Sequence, residues 1–302
     1  MKVCAPYLPA NEPEIKFETY RYYLDCFRSY LQNLYGSWRD FGRVAIKHSN
    51  KIQGSVDFDK QWIERHLKIA WNTEYLTSVG FNDYELLRIN NQWLPIQCYY
   101  AVYGAAEALA YVLDGNKANS HQKALRKTTE FFIRCGLDPW NKAFKGAIGK
   151  KRNEHEAVNF PSNIEIPHNL QRVGVVPLQM IAKCLKAEHA NRVGDIWNKS
   201  TGIYKYKYNP GSTGLLHFLY KLRIKSNYKE VDCFVCDAPE ENVRSFSQSV
   251  CFLCFWNLLY MEILLIRKCK KKFIIELGQN YLRTNPYASL LDERLAFYRN
   301  EI

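Results

Sequence analysis

The fold turns on Trp93-Leu-Pro-Ile-Gln-Cys-Tyr-Tyr-Ala-Val-Tyr-Gly-Ala-Ala-Glu-Ala-Leu-Ala-Tyr-Val-Leu113. This stretch is apolar nearly all round and offers water no polar face. It therefore predicts a central, buried helix. Gly104, Ala105 and Ala106 leave room for a second helix to approach closely. Asp114-Gly115-Asn116 supplies a C-terminal stop, and Ser120 caps a new helix over His121 to Arg134.

On the N-terminal side, Glu14 to Arg43 carries Phe17, Tyr20, Leu24, Phe27, Tyr30, Leu31 and Leu34 at helical spacing. Pro13 suits a helix start, and Gly36 and Gly42 bend the far end. A second helix is expected over Asp59 to Leu76, with Trp62, Ile63, His66, Leu67, Ile69, Ala70 and Trp71 on its apolar side. Gly80 to Asn90 is short and mixed. On the C-terminal side, helices are expected at Pro177 to Asn191, from a Thr213 cap to Tyr228, and from about Asn242 to Lys271, followed by a helical tail. Only Gly202 to Tyr208 alternates like a strand, and Asn209-Pro210-Gly211 ends it. The fold class is mainly α: a helical bundle with an N-terminal helical extension (1–90) and a main helical domain (91–302). An irregular basic insertion at about 136–210 interrupts that domain.

The chain has 302 residues, 47% apolar and 24% charged, which excludes wholesale disorder, collagen and coiled-coil rods. Lys and Arg number 42 against 30 acidic residues, a net charge of +12 that points to an acidic partner such as nucleic acid. Residues 136–210 hold 12 Lys and Arg and 6 Asp and Glu, half of the net charge. The start, Met1 to Lys16, has no apolar run, so no signal peptide is expected. The ten cysteines are then expected as free thiols in a cytoplasmic protein.

Arg223 and Asn227 are four residues apart and share one helix face, with Tyr228 next in the chain. An arginine beside polar side chains at a helix end suits a phosphate or other anion; a solvated helix face has the same pattern. Here the chain resembles the HEPN superfamily, a helical fold of nucleotide-binding and ribonuclease domains. Two segments carry the likeness, over roughly 93–135 and 212–270. Tyr99-Tyr-Ala-Val-Tyr-Gly-Ala-Ala-Glu-Ala-Leu109, the turn at Asp114-Gly115 and then Ser120-His121 are similar to the family's aromatic, Ala-rich helix and its Ser-His start. Leu222-Arg-Ile-Lys-Ser-Asn-Tyr228 occupies the place of the family's arginine motif, in which His follows Arg four to six residues later.

The resemblance implies RNA binding and metal-independent endoribonuclease chemistry. Arg223 would stabilise charge on the phosphorane, Asn227 would position phosphate, and His121 matches a further family position. Tyr228 stands where an active nuclease carries its histidine. Tyrosine titrates near pH 10, so it is a weak base at neutral pH, and the likeness supports binding better than cleavage. The setting it implies is prokaryotic defence, toxin or RNA processing, as a homodimer or a subunit of a larger complex. A non-catalytic binding subunit is the alternative. Among other histidines, His217 is expected to pack and His155 to lie in a basic loop.

Basic residues interleaved with aromatics suit single-stranded nucleic acid. Lys150, Lys151, Arg152, Lys205, Lys207, Lys225, Arg267, Lys268, Lys270, Lys271 and Lys272 are the candidate contacts. Separate solvated faces are the plain reading of the same residues. Cys233, Cys236, Cys251 and Cys254 form C-x2-C, fourteen residues, C-x2-C, close to a four-cysteine zinc spacing. Their apolar setting favours core thiols, and no cofactor is expected. Val250 to Ile266 is apolar over 17 residues but holds Asn257 and Glu262, which favours a bundle helix over a membrane span. A zinc-stabilised or membrane-associated interaction protein is a third reading.

Overall fold

The computed structural model describes residues 12–50, 58–79, 81, 83–118, 120–146, 155–160, 175–191, 195–198, 203–206 and 211–302. Within them the chain is a mainly α bundle. Its helices are α1 Pro13–Tyr35, α2 Trp38–Ser49, α3 Lys60–Ser78, α4 Tyr84–Asn90, α5 Leu94–Asp114 and α6 His121–Cys135, then α7 Val175–Asn191, α8 Leu215–Ile224, α9 Val231–Val235, α10 Glu240–Cys269, α11 Lys271–Thr284 and α12 Ser289–Glu301. The segment 136–210 contributes α7 and most of a small β component. Strands β1 Ala143–Gly146, β2 His155–Val158 and β5 Ser212–Gly214 form an antiparallel sheet in the order β2-β1-β5. Strands β3 Asp195–Asn198 and β4 Ile203–Tyr206 form an antiparallel hairpin, with Asp195 opposite Tyr206.

The expected helix around Gly36 is two helices. Gly36 takes φ 72° and closes α1 by donating its N–H to Gln32 O, and Ser37 caps α2 by accepting from Asp40 N. The stops and starts around α5 are as read. Gly115 adopts the left-handed conformation at φ 73°, and the Ser120 side chain accepts from Lys123 N. Thr213 does not cap α8. It pairs with Phe144 in the sheet, and Gly214 is the N-cap, donating its N–H to His217 Nδ1 at 3.2 Å. His217 is fully buried. Of the two partners of β1, β2 follows closely in the chain and β5 lies far along it.

Helices α5 and α10 form the centre, and the N-terminal helices join the same hydrophobic core. Gly104 is where α3 meets α5: a Cβ there would stand 2.8 Å from His66 O and 3.2 Å from Ala70 N. Helix α10 is long and apolar enough to cross a membrane, and 89% of its most apolar window is buried inside the bundle. Its two interrupting polar residues are both partnered there. Asn257 Oδ1 accepts from Trp140 Nε1 at 2.9 Å. Glu262 joins Glu74 around Arg294, all three closed from solvent.

Arg294 donates to Glu74 at 2.6 and 2.7 Å and to Glu262 at 2.8 and 3.0 Å. Trp71 Nε1 and Tyr298 OH donate to Glu262 at 2.8 and 2.5 Å. Burial pushes the Glu74 carboxyl up, and the Arg294 charge opposes that. Removing one partner of such a group strands buried charge, which costs roughly 3–5 kcal/mol. Arg294→Ala is therefore expected to lower unfolding free energy by about that amount in a urea titration followed by circular dichroism. A loss under about 1 kcal/mol would show that the carboxylates are not stranded.

Candidate functional site

The site is built where α5, α6 and α8 meet. Arg223 lies in the last turn of α8, after which the chain widens into a π-helical turn over Lys225–Lys229. Glu230 N closes that turn by donating to Lys225 O at 2.9 Å, and Ser226 Oγ donates to Arg223 O at 3.2 Å. Glu230 also accepts from Tyr20 of α1 and from Lys225, which pins the turn to the bundle. Short π segments inside helices are frequent at functional sites.

The start of α8 is held just as closely. A Cβ on Gly214 would come within 2.7 Å of Thr129 Cγ2 on α6, so only glycine lets β5 pass there. This contact places the start of α8 against the middle of α6.

The Arg223 guanidinium faces three aromatic rings, with its carbon 5.2 Å from the Tyr99 centroid, 5.3 Å from Tyr100 and 5.4 Å from Tyr220. Tyr220 precedes it by one helical turn, and the other two come from α5. Among the described residues no carboxylate pairs with Arg223, and its Nε is buried without a hydrogen-bond partner. Cation–π contact with the rings partly offsets desolvation of the guanidinium, but it supplies no counter-charge.

His121 opens α6 and stacks on Tyr103 at 4.0 Å and 11°. Its Nδ1 lies 2.5 Å from the Tyr99 hydroxyl. The Tyr103 hydroxyl donates to Glu107. Burial, and then the neighbouring Arg223 charge, hold the His121 imidazole below its ordinary pKa. Burial pushes the Tyr99 and Tyr103 hydroxyls well up, so both stay protonated. The arrangement thus presents one uncompensated cation and one imidazole edge on an aromatic wall, a chemistry suited to an anion carried on a stackable group.

Arg223 and His121, read separately in the sequence, are therefore neighbours. Asn227 is half-buried on the π turn, and Tyr228 is exposed to 66% beside it. Lys225 is spent on Glu230. The basic run 267–272 lies elsewhere: Phe273 contacts Phe58, and the next residue, Asp59, donates its N–H to Tyr111 at the far end of α5. That is roughly 18 Å along the helix from Tyr99, at about 1.5 Å per residue. Within the run, Arg267 donates to Ser49, Lys271 to Arg299 O, and Lys272 lies 3.7 Å from Glu276. Lys268 is half-buried, and Lys270 is exposed. Lys150, Lys151, Arg152 and Lys207 lie outside the described residues, as does the side chain of Lys205.

Among the described residues no three His, Cys, Asp or Glu side chains gather around one point. Cys251 donates to Thr77 O and Cys254 to Cys98 O, while Cys233 and Cys236 sit at α9. The wall of Tyr99, Tyr100, Tyr103 and Tyr220 is what residue-level reading missed. Its one local signal is the four-residue spacing of Tyr99 and Tyr103, which stack at 5.8 Å. Comparison with protein-family models, curated proteins and solved structures returns no match for the chain.

Because Arg223 holds no ion pair among the described residues, replacing it should leave the fold nearly intact. Three cation–π contacts at a partly exposed site are worth about 1.5–3 kcal/mol together. Arg223→Ala is expected to lose no more than that in urea unfolding. A loss of about 4 kcal/mol would identify the guanidinium as a structural pillar instead.

Proposed function

We propose that this chain is a HEPN-like RNA-binding protein that grips a phosphodiester at Arg223, acting as a nucleic-acid-binding subunit in the cytoplasm. The observation that carries the reading is the uncompensated Arg223 guanidinium, lodged among Tyr99, Tyr100 and Tyr220 with no described carboxylate near it. A phosphate oxygen would take the terminal N–H donors of the guanidinium, and a base beside it would find exposed rings at Tyr100 and Tyr228. The net charge of +12 supplies general attraction to a polyanion. A second copy of the chain, or a larger complex, would extend the contact beyond one phosphate.

Cleavage is the second reading, and the neighbouring His121 favours it. In that case Arg223 stabilises charge on the phosphorane as a ribose 2′-hydroxyl attacks, and His121 carries the proton.

The test uses the full chain with labelled single-stranded RNA and tRNA in EDTA, beside Arg223→Ala. Loss of charge-assisted bonds worth roughly 1.5–3 kcal/mol should weaken binding about 10- to 100-fold. Cleavage present in the wild type and absent in the variant would favour the nuclease. Equal binding by the two proteins would overturn the role of Arg223, and no binding by either would turn the search to a protein partner.

A further inference from the structure

The hydroxyl of Tyr99 decides which atom of His121 can meet a ligand. Tyr99 is closed from solvent, and among the described residues its hydroxyl has one partner, His121 Nδ1. A phenol proton with no other acceptor goes to that nitrogen. Nδ1 then accepts, and the proton of the neutral ring sits on Nε2. Stacking on Tyr103, itself tied to Glu107, fixes the ring plane. Among the described residues Nε2 has no hydrogen-bond partner, and it is not sealed from solvent. Arg223 and His121 lie around the same three rings: the guanidinium is within 5.4 Å, and the imidazole within 6.4 Å, of Tyr99, Tyr100 and Tyr220.

We infer that Tyr99 locks His121 as a neutral imidazole whose Nε2–H donates to the phosphodiester chain gripped by Arg223, making His121 a recognition group and Tyr99 its positioning residue. This rests on the phosphodiester reading above and decides between its two forms. A ring whose Nε2 already carries the proton cannot take one from a 2′-hydroxyl at that atom. Protonating Nδ1 would turn the Tyr99 O–H away from its only acceptor among the described residues. The charged and titratable groups facing the imidazole are Arg223 and Tyr220 from α8 and Tyr99, Tyr100 and Tyr103 from α5, with Glu107 behind Tyr103. The one positive charge among them, on Arg223, also opposes the imidazolium.

Two measurements on the full chain test this. The first is nitrogen NMR of histidine-labelled protein, with the His121 signals assigned from His121→Gln. At neutral pH the wild type should show the Nε2–H tautomer and a titration midpoint below the ordinary imidazole value. A hydrogen bond donated to the neutral ring lowers that midpoint, so removing it in Tyr99→Phe should raise it by roughly half to one unit. Tyr103→Phe, which leaves the bond in place, should not. An Nδ1–H tautomer in the wild type, or an unmoved midpoint in folded Tyr99→Phe, overturns the lock.

The second measurement is binding of a short oligouridylate, whose phosphodiesters and bases do not titrate near neutrality. From about pH 7.5 to about pH 6.5, where an ordinary imidazole begins to gain its charge, wild-type affinity should change less than that of Tyr99→Phe. In Tyr99→Phe it should tighten a few-fold on acidification as His121 becomes cationic. His121→Gln keeps an N–H donor and should bind within about threefold of wild type, while His121→Ala should bind roughly tenfold more weakly. A wild-type affinity that rises as much as that of Tyr99→Phe over that range overturns the neutral role. If the wild type binds no oligouridylate at any pH, the phosphodiester reading falls and the recognition role with it. The NMR result stands apart from that outcome and settles whether the lock exists.

Discussion

Arg294 is the constraint on which the bundle depends. It is a guanidinium with no exposure to water, and it survives there because Glu74 and Glu262 take its donors in four hydrogen bonds. The three residues come from α12, α3 and α10, so one ionic cluster sets the last helix against the third and the tenth. Phe255 covers the guanidinium face at 5.0 Å, and Tyr298 and Trp71 each donate a further hydrogen bond to Glu262. Such a cluster is not a large net source of stability, because desolvation nearly cancels the Coulomb gain. Its strength is directional: other packings of these helices would bury the same charges unpaired.

The consequence reaches the candidate site through α5. Helix α3, held by Glu74, meets α5 at Gly104, where no side chain fits between them. Helix α10 packs on the other apolar surfaces of α5. With α5 clamped, Tyr99, Tyr100 and Tyr103 become a fixed wall against which α6 and α8 deliver His121 and Arg223. The two arginines then contrast physically. Arg294 meets two carboxylates in the core, whereas Arg223 meets three ring faces and no described carboxylate.

Helix α10 shows how one pattern serves several readings. Its length and composition suit a membrane span, and its cysteines sit at a zinc-like spacing. Asn257 and Glu262 each find a partner, Trp140 and Arg294, inside the bundle. The thiols behave likewise. Burial pushes the Cys251 thiol up, and the hydrogen bond with Cys98, then burial, push Cys254 up, which keeps both protonated; each donates to a backbone carbonyl, of α3 and α5 respectively.

The mainly α class, the course of α3, α5, α6 and α10 and the turns at Gly115 and Ser120 were legible in the residues, because periodicity and capping act within a turn or two of the chain. The break at Gly36 and the small sheet were less so. A glycine bends or ends a helix depending on what packs beyond it, and β1 finds its partners at residues 155–158 and 212–214. Arg223 and His121 were each readable as candidates, but their meeting, and the tyrosine wall that joins them, were not. They stand about a hundred residues apart, and no local rule relates them. The elements that carry them are placed by the glycine contact between β5 and α6 and by the buried charges that clamp α3 and α10 around α5, and those interactions exist only once the chain has packed.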